Sequence, residues 1–242
     1  DTLVELGSGT AEKTETLLDA MAATGRLERY VPFDVSESTL RQSASRIADS
    51  YGIDIHGVVG DFRNHLAAIP DGGTRLFAFL GGTIGNLEPI ERRAMLEELA
   101  SSMAPGDTLL VGTDLVKDRG RLVRAYDDAR GVTAAFNKNV LSVLNNELGA
   151  TFDLADFDHV ARFDERHEWI EMRLRSRRDH VVDVAGLGLT LEFGAGEEIR
   201  TEVSAKFRPE RIRDELSSAD LSPVRMWTDS ARDFALTMAV RQ

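Results

Sequence analysis

The sequence predicts an α/β fold, a doubly wound parallel sheet with an inserted α+β subdomain. Three observations predict it. Over the first 115 residues, short apolar runs bounded by turn residues alternate with amphipathic stretches of helical period, the rhythm of doubly buried strands joined by crossover helices. After Val116 the rhythm changes to two helical stretches followed by strand-like alternation. A glycine-bearing turn, Gly7-Ser8-Gly9, follows the first apolar run, where a βαβ unit brings its backbone close to a ligand.

The elements follow in order. Strands are expected at Leu3–Leu6, Tyr30–Asp34, Ile55–Gly60, Arg75–Leu80 and Thr108–Thr113, with helices at Glu12–Ala23, Ser36–Ser50 and Pro89–Met103 between them. Ser36, with Glu37 and Thr39 behind it, suits a helix start, and Pro89 suits a first turn. Pro105-Gly106-Asp107 is a turn ahead of the fifth strand. Arg119–Ala129 and Thr133–Leu148 read as helices. Phe157–Phe163, Trp169–Arg177, Val181–Val184 and Leu189–Phe193 read as antiparallel strands. Phe207–Ser218 is helical, and Leu221–Asp229 with Phe234–Val240 forms a closing hairpin. The domain reading is a core of residues 1–115 and 206–242, interrupted by a substrate-binding α+β subdomain at 116–205.

Composition narrows the function. With 41 acidic and 29 basic residues, the net charge is −12, and such a surface repels phosphate backbones, so nucleic acid is not expected as a partner. Arg173–Arg178 is the most basic stretch, but it alternates as a strand with one solvated charged face. There are no cysteines, which removes disulfides, thiolate zinc sites and thiol nucleophiles and fits a cytoplasmic setting. No run reaches the ~20 apolar residues of a membrane span, and the start does not resemble a signal peptide. The five histidines lack metal-ligand spacing, and no metal is expected; His159 and His167, in strand patterns, read as structural or exposed. A monomer acting on a small molecule is the expectation.

The turn after the first strand reads Glu5-Leu6-Gly7-Ser8-Gly9-Thr10-Ala11. A dinucleotide site wants a third glycine three residues beyond the second, and Glu12 stands there, a carboxylate that opposes a pyrophosphate at a helix start. It does not oppose a ligand carrying a sulfonium and an ammonium. Asp34 closes the second strand, where an acidic side chain accepts from ribose hydroxyls. Asp61 and Phe62 close the third, suited to an adenine amine and ring. Taken singly, Asp34 reads equally as a helix cap and Asp61 as a turn residue; in order at successive strand ends, they predict S-adenosylmethionine as cofactor. At the end of the fourth strand, Gly81, Gly82 and Gly85 open space beside Asn86, which both donates and accepts.

Six motifs then carry a resemblance: Leu3–Thr14 (LVELGSGTAEKT), Phe79–Leu87 (FLGGTIGNL), Asp114–Asp118 (DLVKD), Ala125–Asp128 (AYDD), Val132–Asn137 (VTAAFN) and Glu202–Lys206 (EVSAK). In this order they resemble the histidine Nα-methyltransferases of ergothioneine biosynthesis, which trimethylate L-histidine to hercynine. The resemblance implies a Rossmann-like class I methyltransferase fold. It implies cofactor contacts at Gly7, Lys13, Asp34, Asp61 and Phe62, to which the Glu5-x-Gly7-x-Gly9 turn adds Glu5 and Gly9. It places the substrate carboxylate on Asn86 and Tyr126 with Thr133 nearby, the imidazole on Glu202 and Ser204, and Met172 in the pocket wall. No residue is assigned as a catalytic acid or base. Without the resemblance, Glu202 reads as a surface strand carboxylate and Tyr126 as half-buried packing. The family also carries a segment ahead of the first strand that closes over the amino acid; this chain begins at Asp1, and its acceptor pocket is expected to be open on that side.

Alternatives remain at this level. One is an N-methyltransferase of another aromatic amino acid such as a tryptophan derivative, although Glu202 with Ser204 suits two ring nitrogens better than one. Others are a cofactor-binding module without turnover and, against Glu12, a nicotinamide oxidoreductase.

Overall fold

The computed structural model describes residues 1–62 and 64–242 and divides into two compact units, one of Asp1–Leu115 with Phe207–Gln242, the other of Val116–Lys206.

The first unit begins β1 (Thr2–Leu6), α1 (Glu15–Ala23), β2 (Arg29–Asp34), α2 (Glu37–Tyr51), β3 (Asp54–Ile55), β4 (Val58–Val59), β5 (Arg75–Phe79), α3 (Pro89–Ser102) and β6 (Thr108–Asp114). The second unit holds α4 (Arg119–Tyr126), α5 (Val132–Leu148) and strands β7 (Phe157–Asp164), β8 (Trp169–Ser176), β9 (His180–Val184), β10 (Leu189–Phe193) and β11 (Glu198–Ala205). The chain then returns to the first unit as α6 (Pro209–Ser218), β12 (Leu221–Thr228) and β13 (Phe234–Arg241).

In the first unit the sheet order is β12-β13-β6-β5-β1-β2-β3, with β4 also on β2. Strands β1 to β6 pair in parallel, whereas β13 runs antiparallel to β6 and β12 to β13. Winding proceeds from β1 to β2 on one side, then resumes at β5 on the other. The reversal between β1 and β5 leaves a crevice at their carboxyl ends, where α/β sheets bind ligands. The apolar strand runs are buried: Leu3, Tyr30 and Ala78 pack with Leu18 of α1 and Ile47 of α2, each large side chain contributing roughly 1.5–3 kcal/mol by leaving water.

In the first unit two elements depart from the sequence reading by more than two residues. The expected strand Ile55–Gly60 is two short strands separated at His56-Gly57. A Cβ on Gly57 would lie 2.5 Å from Leu40 Cδ2, so α2 presses on the backbone where the ladder is interrupted. The first helix starts at Glu15, not Glu12, because Gly7, Gly9 and Ala11 all take positive φ and keep residues 7–14 in a loop.

In the second unit, β11, β8 and β7 form one antiparallel sheet and β10 with β9 another. Leu141, Phe157, Leu174, Val182 and Phe193 make its main core. The arginines of β8 and the turn beyond it are ion-paired: Arg173 to Glu171, Arg175 to Glu198, Arg177 to Asp158 and Arg178 to Asp156. That basic stretch therefore presents no unbalanced positive face for a phosphate backbone.

The first unit also buries charge. Arg75 donates from its backbone N and Nε to Asp107, both at 2.8 Å, and from Nη2 to Ser102 O at 2.9 Å, while Ala104 N donates to Asp107 Oδ2 at 2.9 Å. One carboxylate thus joins β5 to the turn before β6. Removing it strands a buried guanidinium, so Asp107→Ala should destabilise the protein by about 3 kcal/mol or more. Urea denaturation followed by circular dichroism measures this; a loss below about 1 kcal/mol would show that the pair is not a support of the sheet.

Candidate functional site

A cavity of about 240 Å3 opens at the switch between β1 and β5, lined by Glu5, the loop Gly7–Thr14, and Leu80, Gly81 and Thr83. Two carboxylates hold the loop in place. Glu5, buried at the end of β1, accepts from Thr14 Oγ1 at 2.5 Å and Tyr30 Oη at 2.6 Å. Asp34, at the end of β2, accepts from Gly9 N at 2.8 Å and Ser36 N at 2.9 Å. It therefore ties the loop to its own strand end while also serving the start of α2. Burial pushes the Glu5 carboxyl above the ordinary carboxylate value, against the two hydroxyl donors, and pushes the Tyr30 phenol up as well. A Cβ on Gly7 or Gly9 would meet open space. Their glycine requirement is the left-handed backbone, and the space in front of them is available to a ligand.

Glu12 and Lys13 are exposed loop residues on this cavity. Glu12 therefore opposes a phosphate from the cavity wall, not from a helix terminus as its place in the sequence suggested. Asp61 and Phe62 follow β4, outside the residues lining the cavity; the Phe62 ring meets Phe79 edge-on at 5.2 Å. A larger groove of about 620 Å3 runs along α2 past Gln42, Arg46 and Asp49. It faces helix side chains rather than strand ends, so the smaller cavity is the one suited to a ligand at the switch point.

After β5, Gly81 and Gly82 turn at positive φ into a short 3-10 turn, Thr83–Asn86, which leaves Asn86 exposed. Arg92 of α3, fully buried, anchors the exit of this turn by donating from Nη1 to Leu87 O at 2.9 Å. Glu215 of α6 holds that guanidinium in two bonds of 2.6 and 2.8 Å.

The second unit gathers Tyr126, Ser204 and Lys206. Tyr126 Oη and Ser204 Oγ are 2.8 Å apart. Lys206 Nζ donates to both, at 2.8 and 2.9 Å, and lies 4.6 Å from the Tyr126 ring centre. The Tyr126 backbone is held too. His159 Nε2 stands 2.8 Å from Tyr126 O, so that nitrogen carries the proton, and Nδ1 accepts from Asn137 Nδ2 at 2.9 Å. Asn137 is fixed in turn by Thr201 and by Arg173 O. Glu202 pairs across the strands with Met172 and Ser204 with Ile170. Met172 is buried with Ile170 and Leu122, against which Tyr126 packs. Burial raises the half-buried Glu202 carboxyl, and the Lys206 charge opposes that rise. Thr133 lies in the first turn of α5, its N–H held by Asp128 at 2.8 Å. Asp128 also accepts from Val132 N, and these bonds hold its carboxyl down at about 2.

The structure thus brings Glu5, Gly7, Gly9 and Lys13 together, with Asp34 bonded to Gly9, and separately joins Tyr126 to Ser204. Lys206 and Arg92 were not singled out from sequence. Lys206 carried a signal: Glu202, Ser204 and Lys206 stand at alternate positions, which share one face of a strand. Arg92 carried none, since its partner lies 123 residues away.

The known proteins that this chain resembles are methyltransferases. A family profile described as histidine-specific, SAM-dependent methyltransferase matches residues 1–241. The histidine N-alpha-methyltransferase of Mycolicibacterium smegmatis is 57% identical over 242 residues, covering all of this chain and 75% of that protein. The protein of the same name from Mycobacterium tuberculosis gives the same identity and coverage. Among solved structures, a S-adenosylmethionine-dependent methyltransferase from Clostridium acetobutylicum aligns with a TM-score of 0.55 at 12% identity, over 99% of this chain and 83% of that one. That last likeness is one of fold, the Rossmann-like fold of these enzymes.

Two outcomes follow from the cavity. Asp34→Ala removes the acceptor for Gly9 and Ser36 and should raise the S-adenosylmethionine Kd by roughly tenfold or more in calorimetry; an unchanged Kd would remove Asp34 from the cofactor site. Because the Glu5 pKa is raised in the fold, its contribution to stability is present below the unfolded carboxylate pKa and is lost as pH rises through the folded value. Glu5→Gln keeps an acceptor without a titrating proton. Its stability relative to the natural chain should increase from about pH 4 to about pH 7, measured by denaturation at each pH; a constant or decreasing difference contradicts the account.

Proposed function

The chain belongs to the histidine-specific, S-adenosylmethionine-dependent methyltransferase family, and from that premise we propose that it methylates the α-amine of L-histidine, up to the trimethylated product hercynine, the first step of ergothioneine biosynthesis. The observation that carries the substrate reading is the half-buried carboxylate Glu202 with the Ser204 hydroxyl two residues on in the same strand.

The cavity fits the cofactor by its chemistry. Its left-handed glycines leave open space, and its carboxylates, Glu5 and Glu12, line it without opposing a ligand that bears a sulfonium and an ammonium. When bound, S-adenosylmethionine supplies an electrophilic methyl group on sulfur. In this reading Gly7, Gly9 and Lys13 hold the cofactor at the loop, Asp34 accepts from the ribose, and Asp61 with Phe62 receives the adenine.

Tyr126 holds the histidine carboxylate, with Thr133 in the first turn of the helix that follows it. A neutral imidazole offers one N–H and one bare nitrogen. Glu202 accepts from the N–H, Ser204 donates to the bare nitrogen, and Met172 gives the ring an apolar wall. The amine, of ordinary pKa roughly 8 or above, reacts in its neutral form: it loses its proton to solvent, then its lone pair forms the new C–N bond as the methyl–sulfur bond breaks, the electron pair of that bond staying on the departing thioether. No side chain is required as base, and the rate comes from aim and exclusion of water.

Incubation with S-adenosylmethionine and an equimolar amino-acid mixture, followed by mass, tests the reading: histidine alone should gain up to three methyl groups. Methylation of tryptophan in its place would move the chain to the related aromatic substrates. Glu202→Ala should raise the histidine KM by about tenfold or more while the cofactor KM changes little; an unchanged histidine KM would detach Glu202 from the ring.

A further inference from the structure

We propose that Lys206 is a positioning residue whose ammonium turns the hydroxyl protons of Tyr126 and Ser204 outward, so that both act as donors to the substrate at once. The inference rests on the histidine reading above and adds a residue to which that reading gives no role.

The argument is one of counting protons. Lys206 is 0% exposed, at the end of β11. Nζ, Tyr126 Oη and Ser204 Oγ form a triangle with sides of 2.8, 2.9 and 2.8 Å. An ammonium is a donor only. Each hydroxyl oxygen must therefore accept from Nζ, and neither hydroxyl proton can point at the lysine. With the site as described, one of the two protons closes the Tyr126–Ser204 side of the triangle and the other points away. Histidine needs both protons. Its carboxylate only accepts, so Tyr126 must donate to it. Its bare ring nitrogen only accepts, once Glu202 has taken the N–H, so Ser204 must donate as well.

Binding therefore breaks the bond between the two hydroxyls. Without Lys206 that exchange would leave neither oxygen with a donor. With Lys206, both oxygens keep a charge-assisted N–H bond while their protons turn to the ligand. The same charge stands close enough to Glu202 to oppose the effect of burial on its carboxyl, which favours the ionised acceptor that the ring N–H requires. One buried cation thus serves the carboxylate end and the ring end of a single ligand.

The discriminating variants differ in acceptor capacity. Lys206→Arg is donor-only. Lys206→Gln donates but also accepts, and so allows a hydroxyl proton to turn inward; Lys206→Met does neither. The natural chain is assayed first on histidine, because absence of methylation there overturns the underlying reading itself. Given that activity, Lys206→Met and Lys206→Gln should raise the histidine KM by about tenfold or more, with the S-adenosylmethionine Kd within about twofold of the natural value. Lys206→Arg should recover most of the loss. Adding Lys206→Gln to the double variant Tyr126→Phe/Ser204→Ala should cost little further, since the hydroxyls it orients are gone. A histidine KM unchanged in Lys206→Gln overturns the proposal. So does a Gln variant equal to the Arg variant, an additive cost in the hydroxyl-free background, or a parallel loss of cofactor affinity, which would make Lys206 merely structural.

Discussion

Glu5 is the interaction on which the first unit depends. A carboxylate at 4% exposure is costly unless it is hydrogen-bonded, and Glu5 meets that cost with two hydroxyls from different parts of the chain. Thr14 lies at the end of the following loop and Tyr30 in the adjacent strand. One group thus sets how far the loop travels before α1 begins and fastens it to β2. The Thr14 hydroxyl is turned to Glu5 and makes no side-chain cap bond to α1. The loop between them stays irregular through the left-handed backbone of Gly7, Gly9 and Ala11, and it lines the cavity. Asp34 completes the arrangement by holding Gly9 from the neighbouring strand end.

The other buried charges work in a similar way: each is placed where it fixes backbone as well as side chains. Asp107 takes two backbone N–H groups along with the guanidinium of Arg75. Arg92 gives one bond to the carbonyl after the Asn86 turn and two to Glu215. Replacing such pairs with hydrocarbon often costs a fold nothing, so their stabilising effect alone does not account for them. What a hydrocarbon could not do is hold a carbonyl or an amide at a defined position beside a strand end. In the first unit the charges are therefore best understood as loop anchors: Glu5 and Arg92 beside the carboxyl ends of the strands, where the cavity opens, and Arg75 with Asp107 at the opposite, amino end of β5 and β6.

Legibility in the sequence divided along the same line. Doubly buried parallel strands read as apolar runs, so β1, β2, β5 and β6 were visible to within a residue or two, as was the glycine turn behind β1. Local rules failed where a distant partner decided the outcome. Nothing near Glu12 announces that Ala11 takes a left-handed backbone or that Thr14 is drawn to Glu5, so the start of α1 was placed early. The interruption between β3 and β4 depends on Leu40 of α2 reaching Gly57. Tyr126 and Ser204 were each named from motifs, but their bond spans 78 residues, and only the fold reveals the lysine between them. His159 read as structural or exposed, and its bond to the Tyr126 carbonyl gives it a structural place.

On the proposed function, the chemistry of successive methylation accounts for a second unit built so firmly around Tyr126. Each transfer replaces an N–H of the substrate amine with a methyl group, so the amine loses its hydrogen-bond donors as the reaction advances. A site that recognised histidine through those donors would release the intermediates it still has to methylate. Recognition must rest on what does not change, the carboxylate and the ring, and the groups that meet them must not drift as the amine grows. Tyr126 satisfies that requirement from two directions: its carbonyl is held by His159, itself set by Asn137, and its hydroxyl by Lys206. Ser204 shares the same lysine. Rigid anchors at both ends of the amino acid leave the amine as the part free to rotate, and a rotating amine between fixed ends is what permits the same site to act more than once on the same molecule.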